Sequence, residues 1–176
     1  MIHQKSTKIV YENSWIRLHE DEVEFSDGSN GVYAFSERCD AGPMIIPVTE
    51  KGKLVILREW RYPIKDWTYS FPFGGVMPGE DNFTAAKREL KEETGYSASE
   101  WKSLGIIKID PGQNAQITPI FLATGLLKGS IHQDSSEVHQ VMEFTPDEIN
   151  EKIKNGEMDN GWLLAGFVKY LGTIVS

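Results

Sequence analysis

The sequence predicts an α+β fold, a sandwich of mixed strands and a few helices in one chain of 176 residues. Three observations predict it: strand patterns separated by turns fill residues 7–40, apolar residues recur at helical spacing in 82–94, and Pro and Gly bound a further helical stretch at 145–156. We find no internal repeat, low-complexity segment or long linker. We therefore expect a small N-terminal β region at 1–41, followed by one larger domain at 42–176.

The first half of the chain is predicted to be mostly strand. Residues 26–31, "SDGSNG", are a strong turn signal, and residues 44–48 and 53–60 are apolar runs separated by a short turn. We expect these two runs to pair as a buried hairpin. In chain order, the strand candidates of this half are 9–25, 32–37, 44–48, 53–60 and 67–75.

The first long helix is predicted at 82–94. Phe83, Ala86 and Leu90 fall on one face at helical spacing, so we expect this face to pack on the core. Gly95 follows at the position where a left-handed C-cap is expected.

The second half alternates between strands and helices. Residues 104–110 and 118–126 are strand candidates. Residues 145–156 predict a helix with Thr as its N-cap, Pro at its first position and Gly at its end. An apolar helix is expected at 160–172.

Composition limits the classes of protein that the chain fits. With 40% hydrophobic and 11% aromatic residues, it can form a packed core. Cys39 is the only cysteine, which excludes an intramolecular disulfide and favours a reducing, cytoplasmic location. The N-terminal residues lack a signal-peptide core and the apolar runs are too short to span a bilayer, so we expect no membrane association.

The formal net charge of −8 bears on possible partners. An acidic surface repels phosphate polymers, so we expect no binding to DNA or RNA. A small phosphorylated ligand is compatible with this charge if a cation or a few arginines lie at its site.

The glutamates of the 82–94 helix are candidate metal ligands. Glu89 and Glu93 are four residues apart and share a helix face, where their carboxylates could bind one Mg²⁺ ion. Glu92 lies beside them and Arg88 precedes it by four residues, so these two can pair. A helix rich in Glu, Lys and Arg is also typical of a solvated face, so the helix alone leaves both interpretations open.

The spacing around this helix favours the metal site. It resembles the Nudix box, G-x5-E-x7-R-E-U-x-E-E-x-G-U with U apolar, at every fixed position. The resemblance implies a Nudix-type α/β/α sandwich with a mixed sheet, and an enzyme that hydrolyses nucleoside diphosphates linked to a second group. The matching residues are Gly74, Glu80, Arg88, Glu89, Leu90, Glu92, Glu93, Gly95 and Tyr96.

The resemblance also implies which residues bind a cofactor. Glu89 and Glu93 would bind a divalent cation, Mg²⁺ or alternatively Mn²⁺. Glu92 would be a catalytic helper or a ligand of a second ion, and the backbone carbonyl of Phe73 would be a further ligand. Bound cations would neutralise a pyrophosphate and activate water, which explains how an acidic protein holds an anionic substrate.

The remaining box residues are expected to shape the site. Arg88 would assist catalysis by orienting the carboxylates and, with Glu80, would brace the loop before the helix. Gly74 and Gly95 would be structural positions at the two ends of the box.

Two features outside the box are similar to the branch that cleaves ADP-ribose and nucleoside diphosphate sugars. In "LREWRYP", Arg61 is expected to contact a substrate phosphate, although an exposed strand arginine is the alternative. Pro111 lies 16 residues after Gly95, a distance that marks the ADP-ribose group, although a turn also favours Pro-Gly.

The same branch implies a catalytic glutamate in a loop before the penultimate helix. Counting back from "NGEMDN" assigns this role to Glu137, which would act as a general base once substrate is bound. A solvated loop carboxylate is the alternative interpretation. His132 and His139 lie nearby as other candidates for proton transfer.

Four positions depart from the pattern of this branch. Ser70 and Gln116 stand where glutamates are common, Asp110 replaces a serine and Glu59 replaces a glutamine. The lost carboxylates leave the number of metal ions and the choice of substrate open. They do not affect the box.

The branch further implies a homodimer in which N-terminal strands cross over. The 1–41 region is strand-like and carries several aromatic residues. Trp15, or alternatively Tyr33 or Trp67, would stack on a nucleobase, and Arg38 would contact a phosphate across the subunit interface. A place in the core is the alternative for each aromatic residue.

Together these features predict a metal-dependent pyrophosphohydrolase that cleaves ADP-ribose or a nucleoside diphosphate sugar, such as GDP-mannose, to a nucleoside monophosphate and a sugar phosphate. One alternative is a house-cleaning nucleoside triphosphate pyrophosphohydrolase, but those proteins are usually shorter and lack the N-terminal strands. The other is a non-catalytic Nudix module that binds a nucleotide sugar, which would need a damaged box.

Overall fold

The computed structural model describes residues 1–129 and 139–174, and it confirms the predicted α+β class. The strands are β1 (His3–Glu12), β2 (Ile16–Glu24), β3 (Asn30–Arg38), β4 (Met44–Pro47), β5 (Leu54–Arg61), β6 (Asp66–Ser70), β7 (Tyr96–Ile107), β8 (Thr118–Lys128) and β9 (His139–Phe144). The helices are α1 (Asn82–Thr94), α2 (Pro146–Lys154) and α3 (Gly161–Ile174).

The chain forms two compact units. The N-terminal unit comprises Met1–Ala41 and Lys108–Ile117, and the larger unit comprises Gly42–Ile107 and Thr118–Ser176. The short second segment of the N-terminal unit comes from the middle of the sequence, where it connects β7 to β8.

The N-terminal unit is built on an antiparallel sheet in the order β1-β2-β3. Along β2, Asp21 and Val23 are buried while Glu20 and Glu22 are exposed, which is the alternation expected of a strand with one covered face. The connecting segment joins this sheet through the Tyr33 hydroxyl, which donates to the Gly112 carbonyl oxygen at 2.6 Å.

The larger unit contains two three-stranded sheets. One is mixed and has the order β4-β8-β7, with β4 parallel to β8 and β7 antiparallel to it. The other is antiparallel and has the order β6-β5-β9. This arrangement supplies the mixed sheet that the sequence predicts.

The predicted hairpin between the apolar runs at 44–48 and 53–60 is wrong. Both runs are buried strands, but β4 pairs with β8 and β5 pairs with β6 and β9. Only an isolated bridge joins Val48 to Leu54. Pro47 lacks an N–H to donate to a ladder, and strands buried on both faces need neighbours that a simple hairpin does not supply.

Both faces of the larger unit are covered by helices. Met44 and Ile46 of β4 belong to a core cluster with Phe167 of α3. Ile45, which points the opposite way, belongs to a second cluster with Leu90 of α1. Alternate residues of one strand therefore contact helices on opposite sides, as a helix–sheet–helix sandwich requires.

Helix α1 begins and ends as predicted. Asp81 is its N-cap and accepts a 2.7 Å hydrogen bond from the Thr84 N–H. Gly95 ends it with φ 72°, and its N–H donates to the Lys91 carbonyl oxygen. The expected core face is only partly buried, because Phe83 stays 37% exposed.

The last two helices are also close to their predicted positions. Thr145 caps α2 in a capping box with Glu148, and Pro146 occupies the first turn. Asn160 precedes α3, and its side-chain oxygen accepts a hydrogen bond from the Trp162 N–H at 2.9 Å. Within the described ranges, no helix is both long and apolar enough to cross a membrane.

Candidate active site

Arg88 lies at the centre of a carboxylate cluster on α1. Its Nε and Nη2 donate to the two oxygens of Glu80 at 3.1 and 2.9 Å, and Nη2 also donates to the Gly75 carbonyl oxygen at 2.7 Å. Its Nη1 donates to Glu89 at 2.6 Å and to Glu92 at 3.0 Å. One guanidinium thus joins the loop before the helix to two carboxylates on the helix.

The electrostatics of this cluster follow from the same contacts. Hydrogen bonding to Glu80, and then to Glu89 and Glu92, raises the pKa of Arg88 above its usual value against the effect of burial. The pKa of Glu80 is lowered, first by the Arg88 guanidinium and then by the Met77 N–H, which donates to it at 3.0 Å. Glu80 is therefore a carboxylate that fixes the loop.

Glu89 lies against the backbone of the glycine-rich loop. A Cβ atom built at Gly74 would be 1.9 Å from the Glu89 carboxyl carbon and about as close to its oxygens. Only glycine lets the carboxylate and the loop approach this closely. The box therefore needs Gly74 because a side chain there would displace the Glu89 carboxylate.

Glu93 is buried on the same helix. It is 8% exposed, and its Oε2 accepts a hydrogen bond from the Phe73 N–H at 3.0 Å. Its backbone carbonyl lies 2.8 Å from Nε2 of His139, and a carbonyl can only accept, so the ring donates from this nitrogen. Helix α1 is thereby joined to both the loop and the first residue of β9.

The residues at this loop suit a hard divalent cation. Glu89 and Glu93 contact two consecutive loop residues, Gly74 and Phe73, so two carboxylates border one stretch of backbone. Over residues 1–129 and 139–174, no three His, Cys, Asp or Glu side chains are gathered into a metal-binding group. Mg²⁺ is commonly bound by one or two carboxylates with waters and substrate phosphates completing its shell, so this donor set fits it.

Arg61, at the end of β5, lies in the same unit as the box. Its side chain is about half exposed, and Nη2 donates to Glu59 Oε2 at 2.5 Å. The same Glu59 oxygen accepts a hydrogen bond from the Ser70 hydroxyl at 2.7 Å. Two positions that depart from the branch pattern are therefore direct partners.

The remaining predicted site residues lie in the N-terminal unit or outside the described residues. Trp15 lies in the turn between β1 and β2 of the N-terminal unit and is 67% exposed. Arg38 ends β3 and donates to both carboxylate oxygens of Asp40. Glu137 and His132 lie outside the described residues, so their predicted roles stay predictions.

Two contacts were missed by reasoning from the sequence. His139 was considered only for proton transfer, because residues 139–144 gave no strand signal that would bring it to α1. Glu59 and Ser70 were treated as separate departures, although alternation along paired strands could have placed them on one face.

Comparison with known families gives two matches that together span most of the chain. Residues 40–164 match the family described as NUDIX domain. Residues 2–36 match the family described as nucleoside diphosphate sugar hydrolase N-terminal domain.

The individual relatives described here are 20–29% identical to this chain in sequence. A methanol dehydrogenase activator of Bacillus methanolicus is 29% identical over 150 residues, or 84% of this chain and 80% of that protein. An ADP-ribose pyrophosphatase of Bacillus subtilis is 27% identical over 151 residues, or 85% and 81% of the two chains. A crystal structure of an ADP compounds hydrolase matches with a TM-score of 0.84 at 20% identity, covering 98% of this chain and 94% of that one, so the two share a fold.

Proposed function

The chain belongs to the Nudix family of hydrolases of pyrophosphate bonds, and we propose that it cleaves ADP-ribose or a nucleoside diphosphate sugar, such as GDP-mannose. The products are a nucleoside monophosphate and a sugar phosphate. The predicted family is confirmed by the match over 40–164, and the match over 2–36 supports the nucleoside diphosphate sugar branch within it. Names of relatives such as ADP-ribose pyrophosphatase support the same substrate class.

The observation that carries this proposal is the Arg88-centred carboxylate cluster. All box residues are present, and the arginine holds Glu80, Glu89 and Glu92 around the loop. The cluster has three carboxylates for one arginine, so it retains negative charge beside the loop, which supports a cation-dependent enzyme over a non-catalytic module. In an enzyme this carboxylate cluster is useful, because its glutamates can bind cations that arrive with the substrate.

We assign cation binding to Glu89, Glu93 and the Phe73 carbonyl, with Glu92 as a helper or second-ion ligand. A bound divalent cation, which we take to be Mg²⁺ with Mn²⁺ as the alternative, would neutralise the pyrophosphate and lower the pKa of an attacking water. Arg88 and Glu80 keep the loop and helix in register. This rigid support keeps the carboxylates oriented before substrate arrives.

The remaining roles concern the substrate. We assign Arg61 to a phosphate and Glu137 to general base catalysis, in which it accepts the proton of the water that attacks phosphorus. One P–O bond forms to that water oxygen while the bridging P–O bond breaks. The leaving phosphate then departs with the second half of the substrate.

We also propose a cytoplasmic homodimer. The single, exposed Cys39 favours a reducing compartment. In the dimer, the N-terminal β region of one subunit would exchange strands with the other, with Trp15 against the base and Arg38 near a phosphate. The exposed apolar residues of β2 and β3 support this interface.

The proposal is tested by product analysis with ADP-ribose and Mg²⁺. We expect equal amounts of AMP and ribose 5-phosphate, and no products after addition of EDTA. Glu93→Gln keeps an oxygen that accepts from the Phe73 N–H, so it should fold normally, yet lose turnover by at least ~100-fold, since even outer partners of metal ligands cost about 10–100-fold.

Glu100→Gln is the control, because Glu100 is an exposed carboxylate outside the box that accepts from the Thr124 hydroxyl on the paired strand β8. It should retain wild-type turnover. A Glu93→Gln protein with near wild-type activity would show that the metal assignment is wrong.

A further inference from the structure

Glu59 is a buried carboxylate whose role the box does not explain. It lies in β5, is 8% exposed, and uses one oxygen, Oε2, to accept from both the Ser70 hydroxyl and the Arg61 guanidinium. A buried carboxylate is costly unless it is paired and hydrogen-bonded. Here the partners connect the interior of the unit to an arginine at its surface.

Strand geometry explains why these three residues meet. Glu59 and Arg61 are two apart on β5 and therefore point to the same face. In the antiparallel pair with β6, Leu57 lies opposite Ser70 and Glu59 opposite Thr68, which places Ser70 diagonally beside Glu59. The contacts are thus set by the register of two rigid strands.

Arg61 has space beside it for a ligand. Its side chain is 51% exposed, so the contact with Glu59 leaves much of the guanidinium accessible. It borders a cavity of about 410 Å³ whose other lining residues are Pro63, Ile64, Thr68, Asp159 and Asn160. A cavity of this volume is within the usual range of small-molecule sites.

The same strand leads to the box. On its other edge, Glu59 lies opposite His139 of β9, and His139 contacts the backbone of Glu93. Arg61 is therefore linked to Glu59 by side chains, Glu59 to His139 by strand pairing, and His139 to the Glu93 carbonyl by its ring.

We propose that Glu59, itself fixed by Ser70, is a positioning residue that holds the Arg61 guanidinium toward the diphosphate of the substrate. The inference rests on the proposed function, because it assumes that Arg61 contacts a phosphate. A free arginine samples many rotamers and loses that freedom on binding. The hydrogen bond to Glu59 restricts the Arg61 rotamers before substrate binds, so less conformational entropy is lost on binding. The planar guanidinium still has other N–H groups that can donate to phosphate oxygens.

The test measures binding and turnover separately. The affinity for a non-hydrolysable ADP-ribose analogue, with a methylene group in place of the bridging oxygen, is measured by calorimetry with Mg²⁺ for wild type, Glu59→Gln, Arg61→Ala and the double variant. We expect Arg61→Ala to weaken binding about tenfold, which corresponds to one lost charge-assisted contact. Glu59→Gln keeps an accepting oxygen but loses the charge, so we expect it to weaken binding by about fivefold. In turnover assays with Mg²⁺, Glu59→Gln should raise KM by a similar factor and leave kcat within about twofold.

The double variant distinguishes positioning from a structural role. If Glu59 acts through Arg61, Glu59→Gln should change the affinity less than about twofold once Arg61 is alanine. Ser70→Ala should weaken binding in the same direction, by less. Glu100→Gln, a carboxylate that also accepts from a hydroxyl, should bind like wild type.

Three results would overturn the inference. Glu59→Gln could bind and turn over like wild type, or it could weaken binding equally with and without Arg61. It could also lower kcat and the melting temperature together while Ser70→Ala has no effect on KM, which would indicate a purely structural pair. In each case the wild type still cleaves ADP-ribose; a wild type that neither binds nor cleaves it would refute the proposed function, and this inference with it.

Discussion

At the residue scale, a single side chain in the site can form hydrogen bonds with several partners. Arg88 contacts three carboxylates and one carbonyl, all within 3.1 Å. Lysine could not reproduce this, because its ammonium is a point charge on a flexible stem. The spacing of the box predicted the participants, and the structure adds the distances.

Glu59 and Ser70 show where residue-level reasoning was incomplete. Both depart from the branch pattern, and from the sequence only the lost carboxylate at position 70 bears on metal number and substrate choice. In the structure the serine hydroxyl donates to the glutamate, so the interior keeps a carboxylate on this face although position 70 has none. The pairing depends on strand register, which the sequence did not determine.

Gly74→Ala is the sharpest test at this scale. The new Cβ would overlap the Glu89 carboxylate, so the carboxylate or the loop must move. We expect kcat/KM to fall by about 100-fold, the loss typical of a misplacement near 1 Å, measured with ADP-ribose and Mg²⁺.

Gly172→Ala is the matched control, because a Cβ at this position of α3 meets no atom within 4 Å. It should keep wild-type activity and should not lower the melting temperature. Full activity of Gly74→Ala would contradict the close packing of loop and carboxylate.

At the element scale, α1 is the most predictable part of the molecule. Its apolar spacing, its N-cap Asp81 and its C-cap Gly95 all agree with one helix, and local signals of this kind do not depend on distant residues. Strand pairing is different. The apolar runs at 44–48 and 53–60 identify two strands, and the nearby β6 is one partner of β5. Their other partners, β8 for β4 and β9 for β5, lie about 75 to 90 positions away, which no local pattern reveals.

The N-cap of α1 should make stability depend on pH. The pKa of Asp81 lies below its ordinary value of 3.8, first because its carboxylate accepts from the Thr84 N–H. A lowered pKa contributes stability above 3.8 that is lost as the pH falls through the folded-state pKa. Asp81→Asn keeps the capping oxygen but does not titrate.

We therefore expect wild type to melt at a higher temperature than Asp81→Asn at pH 7, and the difference to shrink as the pH falls below 3.8. Thermal unfolding followed by circular dichroism across this range measures it. Asp81→Ala, which removes the cap, should be less stable than both at pH 7. A difference between wild type and Asp81→Asn that does not change with pH would exclude this coupling.

At the scale of the whole molecule, the net charge bears on substrate binding and the exposed apolar surface of the N-terminal sheet bears on self-association. The net charge of −8 disfavours anionic ligands in general, so a phosphorylated substrate needs local cations and arginines. The N-terminal sheet also exposes apolar side chains, among them Leu18 and Val32 at 38% and 60%. The strand content of this region was predictable from alternation and turns, whereas the inclusion of 108–117 in the same unit was not, because it depends on tertiary contacts.

The proposed dimer predicts a concentration-independent mass of about twice the monomer at micromolar protein in sedimentation equilibrium. Leu18→Lys combined with Val32→Lys places charges on the exposed face of the N-terminal sheet and should shift the protein toward monomer. Glu50→Lys, at an exposed position of the larger unit, is the control, because it adds the same positive charge outside the N-terminal sheet. A wild-type monomer at these concentrations would refute the dimer.

The most direct test of the proposed activity is a substrate panel with Mg²⁺, followed by chromatography of the products. The panel contains ADP-ribose, GDP-mannose, UDP- and ADP-sugars, NADH and deoxynucleoside triphosphates. We predict the highest kcat/KM for ADP-ribose or one of the nucleoside diphosphate sugars, with release of a nucleoside monophosphate and a sugar phosphate. Turnover of triphosphates alone would leave the box intact as a catalytic site and would contradict the assigned substrate class, together with the roles of Arg61 and Glu137.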